Sequence, residues 1–317
     1  MRRAFPGGVN GKVSEVLRFL GASLAALVLL LLLVLRVTGC STATPPPSAT
    51  PSAPAASAPR PEAAAAPGCE RPGWEGAARA NAETLRTRVW TPFGRQETGW
   101  EIYAPLFQRE IGVACPPDSE GFAAALAAWQ AERKLPADGV VDDADFLVLK
   151  GITQERRPVV MLGVAGVCPE TAGEVAAARP EEGYSGKPVW LRPGALHAYR
   201  RMVAAARAEV PEIAADARNL TIFSGYRSPT VDAARCEAEG NCDGKARARC
   251  SPHRTGLALD LYVGQAPGFP PDSSADPNRL YMTRTATYRW LLANAGRFGF
   301  VNYPFEPWHW EWTGEQP

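Results

Sequence analysis

Two short segments near the C-terminus hold residue types suited to hydrolytic chemistry. Ser251-Pro252-His253-Arg254-Thr255-Gly256-Leu257-Ala258-Leu259-Asp260 supplies an imidazole and a carboxylate seven residues apart. Glu306-Pro307-Trp308-His309 supplies a second imidazole, with a carboxylate three residues before it. The chain has only three histidines, so two of them fall in these segments. A catalytic zinc takes three protein ligands, keeps a fourth position open for water and needs a nearby base for that water's proton. His253, Asp260 and His309 supply the ligands for one Zn2+ per site. Glu306 is the spare carboxylate that can accept the water's proton and pass it to a leaving amine.

Other residues could serve the same site. Arg227 ends the turn Ser224-Gly225-Tyr226-Arg227. A guanidinium there can steady the oxyanion of a tetrahedral intermediate or grip a substrate carboxylate. Bracing the turn through a salt bridge is the plainer role. Ser251 and Tyr226 are candidates for substrate contact, with backbone capping the alternative for the serine. Glu311 reads as a surface carboxylate or as a support behind the ligands. His197 sits mid-helix with no partner motif and reads as structural. Trp308, Trp310 and Trp312 alternate along a strand-like run, as core and cleft wall or as a sugar-stacking platform.

The elements that must carry these residues follow from periodicity. Residues 193–209 read as a helix with Leu196, Tyr199, Met202, Val203 and Ala206 on one face. Residues 220–223 read as a short buried strand feeding the Arg227 turn. Residues 257–263 read as a second strand, with Ala258, Asp260 and Tyr262 on one face and the leucines on the other. Gly256 allows the turn that brings His253 to the same pole as Asp260. Residues 285–297 read as a helix, and 298–303 lead into a last strand that runs on to Glu306. The expected class is α+β: a small antiparallel sheet with flanking helices bearing a zinc site, preceded by a small, mainly helical domain.

Three motifs, Ser-Gly-Tyr-Arg at 224–227, Ser-x-His-x-x-Gly-x-Ala-x-Asp at 251–260 and Glu-Pro-Trp-His at 306–309, resemble in that order the zinc D,D-peptidases of the vancomycin-resistance carboxypeptidase (VanY) type. The resemblance covers roughly residues 185–314. It implies zinc held by His253, Asp260 and His309, Glu306 as base, Arg227 as transition-state stabiliser, and cleavage at D-Ala on peptidoglycan stem peptides. An endopeptidase cutting within stem peptides or cross-links, and a wall-binding protein with a vestigial zinc site, are the alternatives. The Arg-rich, cysteine-bearing stretch 229–250 departs from the pattern and is expected to shape the substrate cleft.

Upstream, Phe122, Leu126 and Trp129 share a helical face, Gln130 follows, Pro136-Ala137-Asp138-Gly139 signals a turn, and residues 146–149 form a second apolar helical turn. This pattern resembles the peptidoglycan-binding helical repeat domain; a helical domain that binds nothing is the alternative. The expected organisation is 1–40 as a signal segment or anchor, 41–68 as an Ala/Pro/Ser/Thr-rich tether, 69–153 as the helical domain and 154–317 as the zinc domain.

At the N-terminus Arg2, Arg3, Lys12 and Arg18 precede an apolar run over 19–35 that ends at Val37-Thr38-Gly39-Cys40. This reads either as an export signal closing in a lipobox-like site, with Cys40 acylated, or as an uncleaved membrane helix. Both place the rest of the chain outside the cytoplasm, held at a membrane by lipid or helix. A net charge of +1 argues against a nucleic-acid partner. Setting Cys40 aside leaves Cys69, Cys115, Cys168, Cys236, Cys242 and Cys250, an even set in an exported chain, which reads as three disulfides or as a second metal site. Cys69 and Cys115 flank the helical domain and are expected to pair.

Overall fold

The computed structural model describes residues 68–164, 168, 173–240 and 251–316. The apolar run, Cys40, the tether up to residue 67, Cys242 and Cys250 lie outside the described residues. Among the described residues no helix is long and apolar enough to cross a membrane.

The N-terminal part comprises α1 (Glu75–Thr84), β1 (Val89–Trp90), β2 (Glu97–Thr98), α2 (Ala104–Ile111), α3 (Glu120–Glu132) and α4 (Asp143–Gln154). Ser119 caps α3 by accepting from the Phe122 amide, and Phe122, Leu126 and Trp129 turn inward as their spacing requires. Gln130 ties the loop between α3 and α4. Its Oε1 accepts from the Gly139 amide at 2.8 Å, and its Nε2 donates to Asp145 Oδ2 at 3.0 Å. Asp142 and Asp145 form a reciprocal capping box that starts α4. Trp90, Trp100 and Tyr103 fill the core between these helices, and the expected Cys69–Cys115 disulfide is present. Cys168 and Cys236 are disulfide-bonded as well.

The chain continues through α5 (Pro158–Val164), β3 (Ala176–Ala177), β4 (Trp190–Leu191), α6 (Pro193–Glu209), α7 (Pro211–Ala215), β5 (Ile222–Ser224), α8 (Pro229–Glu239), β6 (Ala258–Leu261), α9 (Asp276–Thr283), α10 (Ala286–Asn294), β7 (Phe300–Tyr303) and β8 (Glu306–Trp312). Helix α6 matches the expected helix, with proline at its first turn, where a missing N–H costs nothing. It is anchored by the Tyr199 hydroxyl, which donates to the Leu220 carbonyl at 3.0 Å.

A four-stranded antiparallel sheet, in the order β5-β6-β8-β7, is the frame for the candidate site. Because strand side chains alternate, β8 points Trp308 and Trp310 one way and His309 and Glu311 the other. Trp310 packs near Tyr288 of α10, with ring centroids 6.4 Å apart, and both Trp308 and Trp310 are buried. Neither is an exposed stacking platform.

The N-terminal helices do not stand apart from this sheet. Arg279 of α9 is fully buried and donates to Glu97 Oε2 at 2.9 Å, to the Tyr103 hydroxyl at 2.5 Å and to the Phe305 carbonyl at 2.8 Å. Phe93 packs against Tyr303 and Phe305, with centroids 5.5 and 5.4 Å away. Contacts join the two expected stretches, 69–153 and 154–317, within one compact unit, Ala63–Pro317.

Candidate metal centre

The register of the sheet assembles the site. Asp260 on β6 pairs directly with His309 on β8, and Ser224 on β5 pairs with Asp260 from the other side. His253 arrives on a short 3-10 turn, Pro252–Thr255, which Ser251 caps. Gly256 ends that turn at φ 68°, a left-handed conformation that glycine adopts without steric cost.

His253, Asp260 and His309 are all buried and could together hold a metal ion, with one donor atom from each lying within 4.8 Å of the others. His309 Nδ1 is 2.8 Å from Asp260 Oδ1, and His253 Nε2 is 3.2 Å from Asp260 Oδ2. Ligand atoms around a tetrahedral zinc stand roughly 3.3 Å apart, so the spacing suits one ion.

The hydrogen bonds behind the rings decide which nitrogens face it. His253 Nδ1 lies 2.7 Å from the Gly225 carbonyl oxygen. That oxygen can only accept, so Nδ1 carries the proton and Nε2 turns a lone pair toward Asp260. Burial drives the His253 pKa down to about 4, against the pull of Asp260, so the ring is neutral. Two electron-rich atoms therefore face each other with no proton between them, which is the environment a cation satisfies. On the other ring, His309 Nε2 donates to Glu311 Oε1 at 3.3 Å, leaving Nδ1 for Asp260. Burial works against charge on His309, but Asp260 and Glu311 outweigh it and raise its pKa to about 9. Burial likewise opposes charge on Asp260, yet the two imidazoles hold its carboxyl well below the usual range. A divalent cation would take the place of the His309 proton.

Glu306 Oε2 lies 4.0 Å from His309 Nδ1, and a third of the Glu306 side chain stays exposed. It therefore stands beside the triad with access to solvent. Burial, reinforced by the charge of Asp260, pushes its carboxyl up. Arg227 Nη2 lies 3.3 Å from Asp260 Oδ2 and 2.7 Å from Ser224 Oγ, and Nη1 lies 3.4 Å from Ser251 Oγ. The guanidinium thus sits at the edge of the triad. Ser251 Oγ accepts from both Arg227 and the His253 amide, and Tyr226, the neighbour of Arg227 in the turn, is half-buried. His197 is exposed on α6, 2.8 Å from Arg201, and takes no part.

Residues 188–315 match the family model described as VanY: D-alanyl-D-alanine carboxypeptidase. No curated protein matches the chain. The matched span contains every site candidate named above, from Tyr226 and Arg227 to His309, and its extent agrees with that of the sequence resemblance.

Sequence reading missed several parts of the site. The Gly225 carbonyl and Ser224 carry no chemical signature beyond their place in the turn. Helix α8, inside the Arg-rich stretch, was not foreseen; its Asp232 turns inward and accepts from Arg254 at 2.7 Å and from the Ser251 amide at 3.3 Å, steadying the His253 turn. Of the two readings of Glu311, surface carboxylate or support behind the ligands, the second holds: it is buried and accepts from His309 Nε2.

Proposed function

We propose that this chain is a zinc-dependent D,D-carboxypeptidase that removes the terminal D-alanine from peptidoglycan stem peptides. The observation that carries the reading is the convergence of His253, Asp260 and His309, with Glu306 alongside, inside a VanY-type domain. Zinc held by the three donors would supply Lewis acidity, polarising the scissile carbonyl and making water acidic enough to attack.

The chain's own groups do the rest. Glu306 takes the proton of the attacking water and returns it to the departing amine of D-alanine. A raised carboxyl, still reachable from solvent, suits a group that must both accept and release a proton. Arg227 stabilises the oxyanion of the tetrahedral intermediate or grips the substrate's terminal carboxylate, at a position where Ser224 and Ser251 hold its guanidinium. Tyr226 and Ser251 contact the substrate in this reading. In the same reading the chain is exported and attached to a membrane through Cys40 or the apolar segment, and the 69–153 helices bind the wall. The basic-then-apolar N-terminus and the Gln130-tied loop support those two parts.

Release of free D-alanine from a pentapeptide ending in D-Ala-D-Ala, lost on chelation and restored by zinc, is the direct test. Activity untouched by exhaustive chelation would overturn the zinc assignment.

A further inference from the structure

We propose that Arg157, upstream of the VanY-type domain, is a positioning residue that orients the metal ligand His309 through Glu311; this rests on the metal-centre reading above. Arg157 lies between α4 and α5, and its side chain is 7% exposed against 2% for Glu311. Its Nε and Nη2 both lie 2.6 Å from Glu311 Oε1, and the same oxygen accepts from His309 Nε2 at 3.3 Å. The second oxygen, Oε2, accepts from the Val159 amide at 3.1 Å. Both carboxylate oxygens are thus fixed by the strap that leaves the N-terminal helices.

The strand register sets where His309 begins, but not how its ring is rotated. Glu311 sets the rotation by accepting from Nε2, and Arg157 and the Val159 amide hold its two oxygens in the position from which it does so. The guanidinium is itself held. It donates to Gln154 Oε1 at 2.5 Å and lies 4.2 Å from the Tyr303 ring centroid. That ring in turn stands edge-on to His309, with centroids 6.1 Å apart. Arg157 therefore braces the metal centre twice, through the carboxylate behind the ligand and through the aromatic wall beside it. The seating of the N-terminal helices is coupled to the geometry of the site.

A purely structural ion pair would affect stability and leave metal affinity alone, so affinity is the quantity to measure. Zinc binding to the full chain is read by competition with a chromophoric chelator, alongside melts of the metal-free proteins. R157M and E311M should each weaken zinc binding about 10- to 100-fold, the usual range for groups that orient ligands. R157M/E311M should be no weaker than E311M alone, because both changes act through one carboxylate. R157K, which keeps the charge and loses the fork, should recover part of the affinity. The double variant leaves no buried charge unpaired, so it keeps the test open if R157M does not fold.

R157M/E311M binding zinc as tightly as wild type would overturn the proposal. So would R157M melting lower while binding zinc within twofold of wild type. Failure of the wild-type chain to bind zinc, or equal binding by His309→Ala, would instead overturn the metal-centre reading, and that result needs no Arg157 variant.

Discussion

His309 and Asp260 are direct partners across the β6–β8 ladder, and His309 Nδ1 lies 2.8 Å from Asp260 Oδ1. Two of the three ligand residues are therefore carried on paired strands rather than on loops, which pre-organises the backbone of the centre. Asp260→Asn keeps the shape and removes the charge. It should weaken zinc binding on the order of 100-fold or more while the fold persists, since ligand and support changes of this kind act chiefly on the metal. Chelator competition measures this; affinity within a few-fold of wild type would remove Asp260 from the ligand set.

Glu306 stands beside the donors without being one of them, so its loss should separate chemistry from metal binding. Glu306→Gln should retain zinc and the substrate KM but lower kcat by about 10²- to 10⁴-fold, the usual worth of a positioned base. Steady-state kinetics with metal content measured on the same sample decides it. A kcat within tenfold of wild type would mean that another group handles the proton.

The carbonyl that fixes the His253 tautomer belongs to a residue with no room for a side chain. A Cβ on Gly225 would lie 2.5 Å from the Trp190 carbonyl oxygen and 2.5 Å from Val189 Cγ1. Gly225→Ala should destabilise the protein by about 1–3 kcal/mol, as overpacking does, and should also weaken zinc binding by displacing that carbonyl. An unchanged denaturation midpoint would show that the turn absorbs the methyl group.

At the junction of the N-terminal helices and the sheet, Arg279 neutralises Glu97 in a fully buried pair. Arg279→Met strands a carboxylate in the interior and should cost about 3–5 kcal/mol. R279M/E97M, which removes both charges, should recover much of that loss. Urea unfolding of the three proteins checks this, and equal stability of wild type and Arg279→Met would contradict the account of the junction.

Stability should also depend on pH through Asp145. Burial pushes its carboxyl up to about 6, above the ordinary 3.8, although hydrogen bonds from the Asp142 amide and Gln130 oppose the shift. A raised carboxyl favours the protonated folded state. Its contribution is therefore complete below about pH 4 and is lost as pH rises to about 6, a change on the order of 3 kcal/mol. Urea midpoints for wild type and Asp145→Asn across pH 4 to 7 isolate this contribution; a pH-independent difference between them would contradict it.

The candidate ligands were legible in the sequence because their residue types are scarce and their spacing matches a chemical need. Helix α6 was legible because Leu196, Tyr199, Met202 and Ala206 recur at helical spacing and are all buried. The four-stranded sheet was legible only as separate strands, since nothing local encodes β6 lying between β5 and β8. Helix α8 was hidden because Pro229–Glu239 carries no apolar stripe and buries an aspartate instead. Arg157 was hidden for a different reason: it meets Glu311 across 154 residues of chain, and an isolated arginine gives no sign of a partner so distant. Composition and periodicity report local preference, whereas the support behind His309 is created by the fold.

The most direct test of the central claim is mass spectrometry of the products formed when the zinc-loaded full chain meets purified pentapeptide-bearing and cross-linked muropeptides, with Glu306→Gln as control. Loss of one D-alanine from the free pentapeptide is expected with the wild type, at a rate at least about 10²-fold above that of the variant. Splitting of the cross-linked dimer with the pentapeptide left intact would contradict it and assign the site to an endopeptidase.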